Sequence, residues 1–429
     1  MIRSIAIAAI AIVAFVTALI ATGLVSGQSE FDVHESSARS DFPNGIVFSL
    51  DATADAGFDE VRLIYETAPD GVRASAIPDC VGGTAVSCTF QLGASRRSLL
   101  IPGAEVTYFW RLTQGEATQE TEPQLVTYED DRFEWRTVSN GNLTLWWYSG
   151  GEDEARAVLA AGRETLDEVG RLLQTSVDFP VKIFYYASTQ DMQQAIISTD
   201  REGVVTLGEV VYSDTAMVSA DASPADIARH EITHIVVRQA VAGPFSVPDW
   251  LNEGLAVYAQ ARPLENQRQA LELAIRSGQV FSVRSLSSAS VGALGGRVSL
   301  FYAQSWSLVD FLVGTYGEEA LAELFRTFKE GATTADALEQ VYGFNQDGLE
   351  NAWRASVGLP PREAPTPGGD QGQVAPTEAV PTGENVSSGS ASADGGGVAI
   401  GFIVAIAVLT LVLAGGFVGA GVLLARRYR

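Results

Sequence analysis

The segment Ala225–Val237, with the sequence ADIARHEITHIVV, contains the pattern that most constrains this chain. It places His230 and His234 four residues apart, with Glu231 directly after the first, and the 429-residue chain has only one other histidine. Residues four apart lie on one face of a helix, so both imidazoles can point at the same ion. Glu231 lies about 100° around the helix from His230, where it reaches a water on the ion more easily than the ion itself. The pattern predicts a metal site with an adjacent base; the alternative is two ordinary histidines on a buried helix.

The residues before this pattern predict where its helix begins. Ser223 and Asp226 form a Ser-x-x-Asp capping box, and Pro224 falls at the first helical position, where its missing N–H costs nothing. The apolar run from 235 to 237 continues the same helix. A helix from about Pro224 therefore carries both histidines.

A catalytic metal site of this kind needs a third protein ligand. The remaining histidine, His34, lies in the polar segment FDVHESS, which is typical of a solvated tail, so the third ligand is expected to be a carboxylate. Glu253 fits this role. It lies in SVPDWLNEGLAVYAQ, where Ser246 and Asp249 form a second capping box and predict a new helix. The apolar neighbours of Glu253 indicate a buried helix, and a buried carboxylate needs a partner such as a cation; the alternative is a solvated glutamate.

Two further features relate the second helix to the first. Gly254 and Ala256 follow Glu253 closely, and such small residues let a helix approach its neighbour. Gly243 and Pro244 form a turn that is expected to fold the second helix back toward the first.

The two motifs together, HEITH and WLNEGLA with 18 residues between His234 and Glu253, resemble the gluzincin metallopeptidases. The match is to the peptidase MA-like group, which pairs HE[LI]TH with a downstream W-x-x-E-G-x-A, and it spans roughly residues 137–357. The resemblance implies a zincin-like α+β catalytic domain, Zn²⁺ bound by His230, His234 and Glu253, and Glu231 as general base. It also implies a peptide or protein substrate. The chain has no GAMEN-type exopeptidase loop, which favours an endopeptidase over an aminopeptidase.

The implied chemistry needs a polar donor for the oxyanion that forms when a carbonyl is attacked. Tyr302, in SLFYAQSW, is the candidate, because peptidase MA-like sequences often place Tyr-x-x-Ser at the start of a helix beyond the glutamate. A tyrosine in an apolar helix is also an ordinary core residue. Both interpretations of Tyr302 stay open at this point.

The two ends of the chain predict its place in the cell. Residues 1–27 form a hydrophobic signal peptide or N-terminal anchor. Residues 398–425 are long and apolar enough for a transmembrane helix, and the Arg-rich tail 426–429 belongs on the cytoplasmic side. The Pro/Gly/Ser-rich segment 359–397 is expected to be a disordered stalk. These features predict a single-pass protein of the cell membrane with an extracellular catalytic domain.

Charge and cysteine content narrow the partners. The net charge is −24, which argues against binding to nucleic acid or to anionic lipid. Cys80 and Cys88 flank a short loop and predict a disulfide in an oxidising compartment, with two free thiols as the alternative. Gly415 and Gly419 form a small-xxx-small pattern, consistent with self-association through the membrane helix or with ordinary transmembrane glycines.

The remaining sequence predicts two folded parts. Residues 31–135 contain short alternating runs, among them IVFSLDA, VRLIYE, CTFQL, SLLIP, VTYFWRL and QLVTYE, which predict a small all-β sandwich. LIPGAEVTYFWRL resembles the tyrosine-corner region of fibronectin type III domains, with Tyr108 in the corner position. Residues 136–358 place strands before helices, typical of an α+β domain. Within them the gluzincin resemblance implies that Ala216–Ser219 is a sheet edge that pairs with an extended peptide substrate; the alternative is a purely structural strand.

The resulting hypothesis is a membrane-anchored zinc metallopeptidase, an endopeptidase that hydrolyses peptide bonds outside the cell. Two alternatives remain on the sequence. The first is an inactive surface binding or adhesion protein that has kept the zincin fold, against which the intact motif residues argue. The second is a zinc hydrolase that acts on a non-peptide amide.

Overall fold

The computed structural model describes residues 31–68, 73–93, 100–196, 208–221, 223–242, 246–260, 263–287 and 297–362. The predicted signal peptide, transmembrane helix and cytoplasmic tail lie outside these ranges, as does the stalk beyond residue 362. Within the ranges, no helix combines the length and the apolar character needed to cross a bilayer.

The N-terminal part consists of two antiparallel sheets. One has the order β1-β2-β6-β5, and the other has the order β4-β3-β7-β8, with β9 also paired to β7. Alternating side chains of both sheets, such as Phe48 and Trp110, meet in one buried core. The strands are β1 (Phe31–Asp41), β2 (Gly45–Ala54), β3 (Glu60–Ala68), β4 (Ala74–Ala76), β5 (Asp79–Gly82), β6 (Ala85–Gly93), β7 (Glu105–Gln114), β8 (Ala117–Glu120) and β9 (Gln124–Thr127).

Three predictions for this part need correction. The segment around His34 is not a tail but belongs to β1, because its alternate side chains pack inward while the His34 ring stays exposed and contacts Thr53 Oγ1 at 3.0 Å. Residues 100–102 of the predicted strand SLLIP are not a strand, and the rest of that segment lies outside the described residues. Tyr108 is buried, but its hydroxyl donates to the Gln124 side chain, whereas the hydroxyl of a tyrosine corner bonds to backbone.

The predicted disulfide between Cys80 and Cys88 is present. The two residues lie directly opposite each other on β5 and β6. The bridge therefore fastens the outermost strand of its sheet to the neighbouring strand, while Cys88 is fully buried in the core.

The second part is built on a five-stranded sheet of order β10-β11-β12-β14-β13. Its strands are β10 (Arg136–Asn140), β11 (Leu143–Trp147), β12 (Val181–Tyr186), β13 (Gly208–Tyr212) and β14 (Thr215–Ser219). Strands β11, β12 and β14 run parallel, and the outer strands β10 and β13 are antiparallel to their neighbours. The prediction that Ala216–Ser219 is a sheet edge is therefore wrong, because β14 is paired on both sides and the edge strand is β13.

Helices cover one face of this sheet and continue beyond it. The amphipathic helix α1 and the histidine helix α3 pack against each other and against the sheet, with a shared core that extends into the later helices. The helices are α1 (Glu152–Leu172), α2 (Thr189–Ala195), α3 (Pro224–Val241), α4 (Asp249–Ala259), α5 (Glu265–Ser277), α6 (Val283–Leu286), α7 (Val298–Tyr316), α8 (Glu318–Lys329), α9 (Thr334–Tyr342) and α10 (Gln346–Ser356).

The opposite face of the sheet carries an aromatic cluster and faces the N-terminal part. Successive side chains of a strand point to opposite faces, and β12 uses both. Ile183 and Tyr185 pack into the core with the helices, whereas Phe184 and Tyr186 pack on the other face together with Ile101 from the N-terminal part. The two parts of the molecule are thus in direct contact through β12.

Candidate metal centre

The histidine helix α3 begins at Pro224, as the sequence predicts. Its N-terminal contact differs from a capping box. Ser223 Oγ donates to Asp226 Oδ2 at 2.7 Å, and the Ser223 side chain makes no hydrogen bond to the helix backbone. The helix is held mainly by burial instead, since Ile232, Ile235 and Val236 are fully buried.

The second motif lies on α4, which begins at Asp249 with Pro248 at the N-cap position. A proline side chain has no hydrogen-bonding group, so the predicted Ser246–Asp249 capping box does not form the N-cap. The predicted burial of this helix is confirmed, because Trp250, Leu251 and Leu255 are fully inaccessible to solvent. The predicted Gly243–Pro244 turn lies outside the described residues, although α3 and α4 do pack against each other.

The fold brings His230, His234 and Glu253 together. Glu253 Oε2 lies 3.4 Å from His230 Nε2 and 3.7 Å from His234 Nε2, and one ligand atom from each residue falls within 4.8 Å of the others. Zinc bonds of about 2.0–2.2 Å in tetrahedral geometry place neighbouring ligand atoms roughly 3.3–3.6 Å apart. The spacing therefore fits a small divalent ion held between α3 and α4.

The environment of these side chains also fits a metal. All three are buried, and His230 Nε2, His234 Nε2 and Glu253 Oε2 have no hydrogen-bond partner. Such buried polar atoms are costly unless a partner satisfies them. Burial lowers the pKa of His230 to about 3 and that of His234 to about 4, so both rings are neutral at pH 7 and offer a lone pair. Burial raises the pKa of Glu253, and a cation would reverse that effect.

Asn252 is a site residue that the sequence analysis missed. Its Oδ1 accepts a hydrogen bond from His234 Nδ1 at 3.0 Å, which assigns the proton of the neutral ring to Nδ1 and leaves a lone pair on Nε2. The residue directly precedes Glu253 on α4, so one helix turn supplies both a member of the cluster and the hydrogen-bond partner of another member. Its polar side chain within the apolar run WLNEGLA is the sequence feature that could have revealed it.

Glu231 and Tyr302 lie beside the three-residue cluster. Glu231 follows His230 on α3 and is fully buried. Tyr302 lies on α7, and its ring meets the His230 ring edge-on, with centroids 6.2 Å apart. The Tyr302 ring therefore lies beside His230, and Glu231 is the neighbour of His230 along α3. The chemical roles of both residues stay predictions.

Gly254 explains how α7 reaches the centre. A Cβ atom at this position would lie 2.3 Å from the carbonyl oxygen of Ser305 and 2.9 Å from Val309 Cγ2 on α7. Only glycine allows so close an approach of two helix backbones. The sequence predicted close packing after Glu253, and the helix that packs there is α7, which carries Tyr302.

The arrangement of two helices with a buried His–His–Glu donor set and an adjacent glutamate could hold a metal ion. Residues 163–358 match the family model described as the Peptidase MA superfamily. This part of the chain is therefore similar to that superfamily, and the similarity supports a metallopeptidase-type function.

Comparison with other proteins adds limited information. No curated protein matches this chain. An aminopeptidase N family protein from Idiomarina loihiensis aligns with 11% identity and a TM-score of 0.35, covering 73% of this chain and 74% of that one. A laminaripentaose-producing β-1,3-glucanase from Paenibacillus barengoltzii aligns with 15% identity and a TM-score of 0.15, covering 28% of this chain and 27% of that one. Neither superposition is close enough to carry an argument.

Proposed function

We propose that this protein is a zinc-dependent endopeptidase, anchored in the cell membrane with its catalytic domain outside. The observation that carries the proposal is the buried, mutually facing set of His230, His234 and Glu253, whose facing atoms make no hydrogen bond. Neutral imidazoles and a carboxylate with one position left for water are the donor set of catalytic zinc sites. A purely structural role would not require these atoms to stay unsatisfied.

A bound zinc ion would polarise the substrate carbonyl and lower the pKa of a water toward about 7. Glu231 is the group that accepts the proton, since it is next to His230 on α3 and offset around the helix from the ligand face. Glu231 then donates the proton to the leaving amine. Tyr302 donates a hydrogen bond to the oxyanion, in keeping with its ring contact with His230.

Strand β13 is proposed as the place where the substrate backbone binds. It pairs with β14 on one side and, among the described strands, has no partner on the other. An extended peptide that adds to this edge gains main-chain hydrogen bonds. Because β13 packs against α3, which carries both histidines, a peptide on this edge is proposed to run past His230, His234 and Glu253. An internal peptide bond can be cleaved in this way, since neither end of the peptide needs a dedicated pocket.

The proposed location rests on the ends of the chain and on the disulfide. The hydrophobic N-terminal run and the Arg-flanked C-terminal run support export and a single membrane span. The Cys80–Cys88 bridge is in keeping with an oxidising compartment. If protease added to intact cells removed a tag fused after Arg429 but spared the catalytic domain, this orientation would be wrong.

The function is tested with an internally quenched peptide library whose members are blocked at both ends. We expect the full-length chain to cleave internal bonds, and phenanthroline to abolish the cleavage until zinc is restored. Cleavage only of peptides with an open N-terminus would indicate an aminopeptidase instead. No cleavage by the zinc-loaded chain would favour a binding protein with a zincin fold, and cleavage only of non-peptide amides would assign another substrate class.

A further inference from the structure

One face of β12 is devoted to the N-terminal sandwich. Lys182, Phe184 and Tyr186 occupy alternate positions along this strand. Each of them contacts a residue that does not belong to the helices packed on the other face of the sheet. The Lys182 ammonium group donates to Gly103 O at 3.1 Å and to Glu105 Oε1 at 3.0 Å. A Cβ atom on Gly103 would lie only 2.5 Å from Phe184 Cε2, so the Phe184 ring packs directly against the Gly103 backbone. Contacts at three alternate residues of one strand are typical of a fixed interface between two folded parts rather than of a flexible linker.

Lys182 also connects this interface to the hairpin formed by β13 and β14. Asp214 lies in the turn of that hairpin, and its Oδ2 is 3.7 Å from Lys182 Nζ. Asp214 Oδ1 accepts from the Thr215 hydroxyl at 2.6 Å, and the Asp214 carbonyl accepts from the Lys182 backbone N–H. Only 15% of the Lys182 side chain is exposed, so the ammonium group between Glu105 and Asp214 is largely desolvated. The turn of the hairpin is thus tied through one lysine to β7 of the sandwich.

A second contact holds the helix that precedes this hairpin. Arg132, in the segment that joins the sandwich to β10, donates to the Asp191 carbonyl at 2.9 Å and to Gln194 Oε1 at 2.6 Å, both on α2. The same guanidinium group forms a paired contact with the fully buried carboxylate of Asp130. Phe42, in the turn between β1 and β2, restricts the guanidinium group further, because Arg132 Cζ lies 4.8 Å from the centre of the Phe42 ring.

These contacts lead to one inference, which rests on the proposed function. We infer that the N-terminal sandwich positions the substrate-binding edge of the catalytic sheet, with Glu105 acting through Lys182 on the β13–β14 hairpin and Arg132 acting on α2. The sandwich is therefore part of the peptide-binding apparatus and not a spacer. Glu105 and Arg132 are positioning residues, because neither belongs to the cluster of His230, His234 and Glu253.

The test removes the side-chain acceptor of each contact, Glu105 for Lys182 and Gln194 for Arg132. The buried Asp130–Arg132 pair and the hydrogen bonds to the Gly103 and Asp191 carbonyls stay intact. Glu105→Ala and Gln194→Ala are suitable because 42% of the Glu105 side chain is exposed and Gln194 is exposed. Matched controls are Glu60→Ala, which removes an ion pair with Arg62 elsewhere in the sandwich, and Gln269→Ala on α5. All variants are made in the full-length chain.

We expect the Glu105→Ala/Gln194→Ala double variant to raise KM for an extended peptide by roughly 2- to 30-fold, the range for coupling through packed side chains. The value of kcat and the zinc content should stay within about twofold, since only substrate binding is altered. Amide hydrogen exchange should accelerate in Thr215–Ser219 and in α2, and it should not do so in the two control variants.

Two results would overturn the inference. One is unchanged exchange in β14 and α2 in the double variant. The other is an equal loss of kcat and zinc content in the double variant and its controls, which would indicate general destabilisation. If the wild-type chain cleaves no peptide at all, the proposed function fails, and the exchange measurement alone then decides whether the sandwich holds the hairpin.

Discussion

Gly254 on α4 and Ser305 on α7 are in backbone contact, so close that a single added methyl group would lie 2.3 Å from the Ser305 carbonyl oxygen. The contact joins the helix that carries Glu253 to the helix that carries Tyr302. Because Gly254 has no side chain, Glu253, the proposed metal ligand, and Tyr302, the proposed oxyanion donor, lie on helices that pack closely together.

Substitution Gly254→Ala should separate these two helices. Overpacking of this kind costs roughly 1–3 kcal/mol of unfolding free energy, and it should also weaken metal binding because Glu253 is adjacent. Gly314→Ala on α7 is the control, since a Cβ there meets nothing within 4 Å, and it should leave stability unchanged or slightly higher. Urea unfolding of both variants decides the matter; equal stabilities would show that the helices adjust without cost.

Removal of the metal should destabilise the catalytic domain. The atoms that would contact the ion are buried and lack other partners, so an ion bound only by the folded state stabilises it by mass action, about 2.7 kcal/mol at one hundred times Kd. We expect chelation to lower Tm and zinc to restore it. In His230→Ala the addition of zinc should leave Tm where it was, and a zinc-dependent rise in that variant would place the ion elsewhere.

Asn252→Ala should weaken the metal without removing a ligand. The substitution deletes the acceptor of the His234 Nδ1–H bond, and loss of such a supporting contact typically lowers metal affinity 10- to 100-fold. Asn252→Asp retains an acceptor oxygen and should retain most of the affinity. Competition with a chromophoric chelator measures both. Equal affinities for the alanine variant and the wild type would remove Asn252 from the site.

The Cys80–Cys88 bridge should stabilise the sandwich and leave the catalytic domain unaffected. A disulfide that closes so short a loop contributes about 2–3 kcal/mol, and here it fastens only the edge strand β5. The double variant Cys80→Ser/Cys88→Ser should unfold at lower urea concentration while its zinc content stays the same. Mass spectrometry that finds both thiols alkylated without reductant in the native chain would show that the bridge is not formed.

The sequence predicted the site best where the residue type concerned is rare in the chain. Three histidines in the chain, two of them four residues apart, left little choice for the site, and His230, His234 and Glu253 do meet. Their neighbour Asn252 was missed because a single amide next to a ligand carries no periodic pattern. Its role follows only from the contact with His234 across two helices.

Local patterns were least informative about pairing between distant segments. Ala216–Ser219 was correctly predicted as a strand, but its place inside the sheet depends on β13 folding back against it, which no short-range pattern records. His34 was assigned to a tail because its neighbours are polar, although one half-buried face is enough for an outer strand such as β1. The contact of Lys182 with Glu105 joins residues 77 positions apart and was likewise invisible in the sequence.

Glu231 is proposed as the general base at a metal held by Glu253 and the two histidines. Turnover and metal content, measured together on Glu231→Gln and Glu253→Ala, test this proposal most directly. Glu231→Gln is nearly isosteric, so it should keep its zinc and lose roughly 10²- to 10⁴-fold in kcat, while Glu253→Ala should lose zinc and activity together. Full, chelator-sensitive turnover by zinc-loaded Glu231→Gln would show that Glu231 is not the base, and an unchanged zinc content in Glu253→Ala would show that Glu253 is not a ligand.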